Sequence, residues 1–228
     1  MNSLTVFLDV GGTLLDSSDL FTAIADNLTN KPNKQSDETT GNTVNLVLET
    51  FMKEYKNIKG FISVEGIIAA TLTSLADNHG YPDIASYAHD IYYDVFLHKS
   101  SLFPETLSFL DTLHNNDVTM IIASDSDTKI MEQQLIKHHF KKYFTEIFTS
   151  DLVKAYKPSD KFVRYLEKYT FNNQENCYFV GDKKQDVECG NKLGINSVLV
   201  DRKNSKEKMN ADYVIHDLKE LLPILGLK

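Results

Sequence analysis

Short apolar runs alternate with helix-patterned stretches along most of this chain, and that alternation constrains the fold more than any other feature. Strands are predicted at Leu4–Val10, Val118–Ser124, Glu146–Thr149, Cys177–Val180, Ser197–Val200 and Asp212–Ile215. Helices are predicted at Glu105–Asn115, Thr128–His139, Asp160–Tyr169 and Gln185–Leu193. Strand, helix, strand in order implies a parallel sheet, because parallel neighbours need a crossover connection. Right-handed crossovers then lay helices on both faces. The expected fold class is α/β, a doubly wound parallel sheet.

The rhythm breaks between Ser17 and Leu102, where no strand is predicted. Apolar residues there recur at helical spacing instead: Leu20, Phe21, Ile24 and Leu28; Val44, Leu48 and Phe51; Ile67, Ile68, Leu72 and Leu75; Ile84, Tyr87, Ile91, Val95 and Phe96. Asn30 to Asn42 is polar and rich in turn residues, and reads as a loop. The expected organisation is a core piece at 1–16, a smaller helical insertion at 17–102, and the remaining core at 103–228.

Composition narrows the partners. The net charge of −8 disfavours nucleic acid and anionic membrane, since both need a basic face. The N-terminal apolar stretch is short and ends in Asp9 rather than a small-residue cleavage site, and no run approaches a membrane span. A soluble, cytoplasmic chain is expected. Cys177 and Cys189 fall in a predicted strand and helix, as buried free thiols rather than a disulfide framework.

In an open parallel sheet, ligands bind beyond the carboxyl ends of the strands. Asp9 follows the first predicted strand and precedes Val10, Gly11 and Gly12; Ser124, followed by Asp125, ends the second. Lys157, followed by Pro158, comes after the third, and Asp182 and Asp186 come after the fourth. Each has a local structural alternative. Asp9 before two glycines could be a turn residue, Ser124 and Asp125 could cap a helix, Lys157-Pro158 could be a helix entry, and Asp186 could favour a helix N-terminus. Their joint occurrence, in order, at successive strand tips sets the chemical reading above the local ones.

Together these segments resemble the haloacid dehalogenase superfamily of hydrolases. The first motif is Asp9-Val10-Gly11-Gly12-Thr13-Leu14, the second Ser124, the third Lys157-Pro158, and the fourth Gly181-Asp182 with Asp186. Phe103-Pro104-Glu105 resembles the segment that re-enters the core from a helical cap. The resemblance implies a Rossmann-like core and a phosphatase acting on a small phosphorylated metabolite. Asp9 would be the nucleophile and form an aspartyl-phosphate. Asp9, Asp182, Asp186 and the carbonyl of Gly11 would hold Mg²⁺. Lys157 would neutralise charge and Ser124 would hydrogen-bond a phosphoryl oxygen. The backbone N–H groups of Val10 and Gly11, with Asp125 and Lys157, would line the phosphate site.

One position departs from the family pattern. Phosphatase members usually carry an Asp two residues after the nucleophile, as acid and then base; here that residue is Gly11. Such help is typically worth about 10²–10⁴-fold in rate. Asp16, Asp125 and Asp127 are the candidate substitutes. Gly11 also keeps open a non-catalytic binding or regulatory protein. A phosphonate-cleaving enzyme would need a cap lysine such as Lys53, Lys56, Lys59 or Lys99, and a metal-free dehalogenase is opposed by Asp182 and Asp186.

Overall fold

The structure is a computed structural model that describes residues 4–16, 20–29, 38–205 and 208–227. Six parallel strands form the main sheet: β1 (Thr5–Leu8), β4 (Thr119–Ser124), β5 (Phe144–Thr149), β6 (Cys177–Gly181), β7 (Asn196–Val200) and β8 (Tyr213–Ile215). Their order across the sheet is β5-β4-β1-β6-β7-β8. The chain winds outward from β1 in both directions, so the order reverses there, and the crevice at that reversal is where open α/β sheets bind ligands. Register brings the strand ends together: Leu8 pairs with Ile122 on one side and Val180 on the other. This is the doubly wound parallel sheet expected from the alternation.

Strand periodicity divides the core into two layers. Val6, Leu8, Met120, Ile122, Tyr178 and Val180 face one way, while Phe7, Ile121, Ala123, Cys177 and Phe179 face the other. Both faces are covered, so these strands read as continuous apolar runs rather than alternating ones.

Two further strands, β2 (Leu15–Asp16) and β3 (Ser101–Leu102), make an antiparallel pair with Leu15 opposite Leu102 and Asp16 opposite Ser101. The chain divides into two compact units, one of residues 1–16 and 101–228 and one of residues 17–100. Ser101 and Leu102, read from sequence as part of the insertion, thus pair with the core. A two-residue strand carries no periodicity to detect.

The second unit is helical: α1 (Leu20–Thr29), α2 (Glu38–Asn57), α3 (Val64–His79) and α4 (Ala88–Tyr93), with a π-helical turn at Asp94–Lys99. Residues 30–37 of the expected polar loop lie outside the described residues, and 38–42 belong to α2 rather than to a loop. The buried face of α2 also differs from expectation. Thr43, Val47 and Thr50 are buried, whereas Leu48 is 38% exposed. Two threonines disguise this i, i+4, i+7 stripe, and the Thr50 hydroxyl is satisfied by the carbonyl of Leu46 at 2.7 Å. The stripe on α3 is as expected, with Ile67, Ile68, Leu72 and Leu75 all buried. Ser63 caps that helix by accepting from the Gly66 amide, and Gly80 ends it at φ 70°. In the last stripe Ile91 and Val95 are buried, but Tyr87 is 57% exposed because it sits in a 3₁₀ turn out of phase with α4.

The core helices follow the sheet. α5 (Thr106–Asn115) and α6 (Thr128–Lys137) cover one layer through Phe109, Leu110, Leu113, Met131 and Leu135. The short α7 (Ser150–Val153), with α8 (Asp160–Leu166) and α9 (Lys184–Leu193), covers the other through Val153, Phe162, Leu166, Cys189 and Leu193. Cys177 and Cys189 are free and buried, and burial pushes the Cys189 thiol beyond titration near neutral pH. Among the described residues no helix is long and apolar enough to cross a membrane.

Candidate active site

The site is built at the carboxyl ends of β1, β4 and β6. Asp9 continues β1 and is pinned to its neighbour by its own amide, which donates to the Val180 carbonyl at 2.9 Å. Immediately after it the chain makes one tight turn. The Val10 carbonyl accepts from the amides of Thr13, Leu14 and Leu15 at 3.3, 2.9 and 2.9 Å, while the Val10 side chain is buried in the core. Gly12 sits in this turn at φ 87°, a conformation that favours glycine. Space demands glycine as well, because a Cβ there would lie 2.2 Å from Oδ2 of Asp182. Gly12 therefore lets the nucleophile turn and the β6 tip meet. Thr13 donates to Oδ2 of Asp9 over a long 3.4 Å.

Lys157 is the centre of the site. It is 3% exposed, and Nζ donates to Oδ1 of Asp9 at 2.7 Å, to Oδ1 of Asp186 at 2.5 Å and to the Ala123 carbonyl at 2.9 Å. Three acceptors match the three protons of an ammonium. Burial works against the charge, but Asp186, Asp9 and Asp125 outweigh it and raise the Lys157 pKa well above the ordinary lysine value. The loop that delivers the side chain leaves α7 through Lys154 at φ 57°, has a cis bond between Lys157 and Pro158, and enters α8 at the N-cap Ser159. Lys157-Pro158 thus precedes the helix entry and does not form it. The backbone amide of Lys157 donates to Oδ1 of Asp125 at 2.8 Å. This interaction ties the third motif to the residue after Ser124, and the sequence carries no signal for it.

Ser124 is buried at the tip of β4, where its Oγ lies 2.9 Å from Oγ of Ser126 and accepts from the Ser126 amide. It does not cap α6, whose N-cap is Asp127. Asp186 is 1% exposed in the first turn of α9, and its Oδ2 accepts from the Lys183 amide at 3.0 Å. Gly181 makes room for it, since a Cβ there would lie 2.2 Å from Cγ of Asp186.

One carboxylate oxygen from each of Asp9, Asp182 and Asp186 lies within 4.8 Å of the others. Oδ1 of Asp182 is buried and has no hydrogen-bond partner. A buried carboxylate oxygen without a partner, on one of three clustered acids, is costly without a cation. Burial first, then Asp9, pushes the Asp182 carboxyl up to about 6 against the pull of Lys183. Burial likewise raises Asp186 to about 7, with Lys157 opposing and Asp9 assisting. Asp125 is also raised, chiefly by burial. Hard oxygen donors of this kind suit a small divalent cation.

The structure brings together Asp9, Lys157, Asp182 and Asp186 directly, and Asp125 through its bond to the Lys157 amide, with Ser124 beside it at the tip of β4. Asp16 is exposed at the end of β2 and Asp127 is buried at the start of α6. Lys53, Lys56 and Lys59 are exposed on the helical unit, and Lys99 pairs with Asp94 at 2.9 Å.

The chain matches the haloacid dehalogenase-like hydrolase family over residues 6–200. It belongs to that family. The match spans every residue of the site, from Asp9 to Asp186. A phosphoglycolate phosphatase from Vibrio parahaemolyticus is 24% identical over 231 residues, covering 97% of this chain and 96% of the relative. The pyrophosphatase PpaX of Oceanobacillus iheyensis is 25% identical over 128 residues, 54% of this chain and 60% of that protein. Among solved structures, the HAD-hydrolase YfnB from Bacillus subtilis, solved bound to magnesium, superposes with a TM-score of 0.79 at 16% identity over the whole of both chains. An L-2-haloacid dehalogenase, RSc1362, superposes at 0.75 with 17% identity over 98% of each chain. These two likenesses establish the shared fold.

Proposed function

We propose that the chain is a Mg²⁺-dependent phosphatase acting on a small phosphorylated metabolite through an aspartyl-phosphate at Asp9. The observation that carries this reading is the joint geometry of Lys157 and the carboxylates. One buried ammonium touches the nucleophile, and Asp182, which has an unpartnered buried oxygen, belongs to the same cluster of acids. A metal-free displacement would leave the buried Asp182 oxygen without any partner. The curated relatives named as phosphatases support the same reading.

Asp9, Asp182 and Asp186, with the Gly11 carbonyl, would hold the ion, whose charge would lower the repulsion between the nucleophile and a phosphate dianion. The chain's own residues do the rest. The Asp9 carboxylate forms a bond to phosphorus while the bond from phosphorus to the leaving oxygen breaks. Lys157 orients Asp9 through its hydrogen bond, and its charge would face the transferring group. Ser124 and the Val10 and Gly11 amides would bind phosphoryl oxygens. Water then attacks phosphorus, releasing phosphate and restoring Asp9. Gly11 supplies no proton to the leaving group, so esters of acidic alcohols and anhydrides are favoured over those of poor leaving groups.

Phosphate release across a panel of phosphorylated metabolites, with Mg²⁺ and with chelator, tests the proposal. Metal-dependent turnover of a few related compounds is expected. Phosphate binding without turnover of any compound would replace it with a binding role.

A further inference from the structure

We infer that Arg202 is a positioning residue for this hydrolysis, a latch whose guanidinium fixes the turn that carries Asp9. The inference rests on the phosphatase reading above. Arg202 lies just past β7, far in sequence from the motifs. Its Nη2 donates to the Thr13 carbonyl at 2.8 Å and its Nε to the Gly12 carbonyl at 3.4 Å. Nη1 pairs with Oε1 of Glu105 at 2.7 Å, and the guanidinium lies 3.5 Å from the centre of the Phe103 ring. A planar fork with five donors and an aromatic-stacking face can meet all four at once; a lysine cannot.

The contacts complete the turn's hydrogen bonds. Val10 already accepts the amides of Thr13, Leu14 and Leu15. The carbonyls at the far end of that single turn need donors from outside it. Arg202 serves Gly12 and Thr13, while Leu14 is served by the Phe103 amide at 3.2 Å and the Thr106 hydroxyl at 2.9 Å. The two residues that Arg202 grips are the two that set the site's geometry. Gly12 is pressed against Asp182, and Thr13 donates to Asp9. Arg202 is itself anchored by its neighbour, because the Asp201 amide donates to Ile215 of β8 at 2.8 Å. The sheet, the re-entry segment and the nucleophile turn are thereby locked to one guanidinium.

The test separates positioning from support. Arg202→Met alone would leave Glu105, 4% exposed, without its cation, so the pair is removed together as Arg202→Met/Glu105→Gln. Arg202→Lys keeps the charge and loses the fork. Displacements near 1 Å can cost about 100-fold in rate, so kcat should fall about tenfold in the lysine variant and further in the double variant, with KM little changed. Phe103→Leu removes only the stacking face, and should lower the melting temperature while sparing kcat. The affinity for Mg²⁺ alone, read by calorimetry, should weaken in the double variant. Unchanged kcat in both arginine variants, at temperatures where both are folded, would overturn the latch. If wild-type protein hydrolyses nothing, the phosphatase reading fails separately. The Mg²⁺ titration still decides the latch, with equal affinity in wild type and double variant against it and weaker affinity in the variant for it.

Discussion

Replacing Lys157 by Met keeps most of the side-chain volume and removes the charge that two buried carboxylates share. Nζ sits 2.7 Å from Asp9 and 2.5 Å from Asp186, and both acids are less than a tenth exposed. At an effective dielectric of about 20, each such contact is worth roughly 6 kcal/mol before desolvation. The desolvation of three groups offsets much of that, and breaking a buried pair costs about 3–5 kcal/mol net. The Ala123 carbonyl also loses its donor. The loss should depend on pH in a defined direction. Asp186 is already held up to about 7, above its unfolded value, so the folded state keeps a proton that the unfolded chain has lost. The contribution of Asp186 to stability therefore falls as pH rises from about 4 towards 7. Lys157 opposes that upward shift, so its removal raises Asp186 further and extends the fall to higher pH. Urea unfolding in chelator at about pH 5.5 and pH 8 measures this, with a deficit of about 3–5 kcal/mol at pH 8 and a clearly smaller one at pH 5.5. A deficit below about 1 kcal/mol, or one equal at both values, would refute the reasoning.

Three further expectations follow from the site. Binding of Mg²⁺ should release protons near pH 6.5, because Asp182 near 6 and Asp186 near 7 must ionise to ligate. Calorimetry in buffers of different ionisation heat reads the release, and heats independent of buffer would contradict it. Gly12→Ala places a Cβ 2.2 Å from Asp182 in a left-handed conformation, so it should weaken Mg²⁺ binding and lower the melting temperature. An unperturbed Mg²⁺ titration of that variant would show that the turn adapts. Gly11→Asp should raise turnover most for substrates with poor leaving groups, by up to about 10²–10⁴-fold if the proton is otherwise missing. A leaving-group dependence equal to wild type would mean that another residue supplies the proton.

The sheet was legible because its strands are buried on both faces and so stand out as apolar runs such as Met120-Ile121-Ile122-Ala123. The strand tips were legible because Asp9, Ser124 and Asp182 break those runs with chemistry, while Lys157, in the loop between α7 and α8, was legible as a Lys-Pro step before a helix. Contacts formed by the backbone were not. Nothing in the composition of Ala123, Asp125 or Gly12 announces that a carbonyl receives Lys157, that a carboxylate holds its amide, or that a missing Cβ admits Asp182. The buried face of α2 is hidden in the sequence because Thr43 and Thr50 are polar by type yet satisfied within the helical unit. Arg202 carries no signal in the sequence because its partners are mostly main-chain oxygens, which every residue possesses.

The central claim is that Asp9 forms a covalent bond to phosphorus. The most direct measurement is Mg²⁺-dependent phosphate release from an activated aryl phosphate by the wild type and by Asp9→Asn. The account predicts turnover in the wild type that chelator removes, and none in Asp9→Asn despite an unchanged fold. Turnover that survives in Asp9→Asn would contradict it and remove Asp9 as the nucleophile.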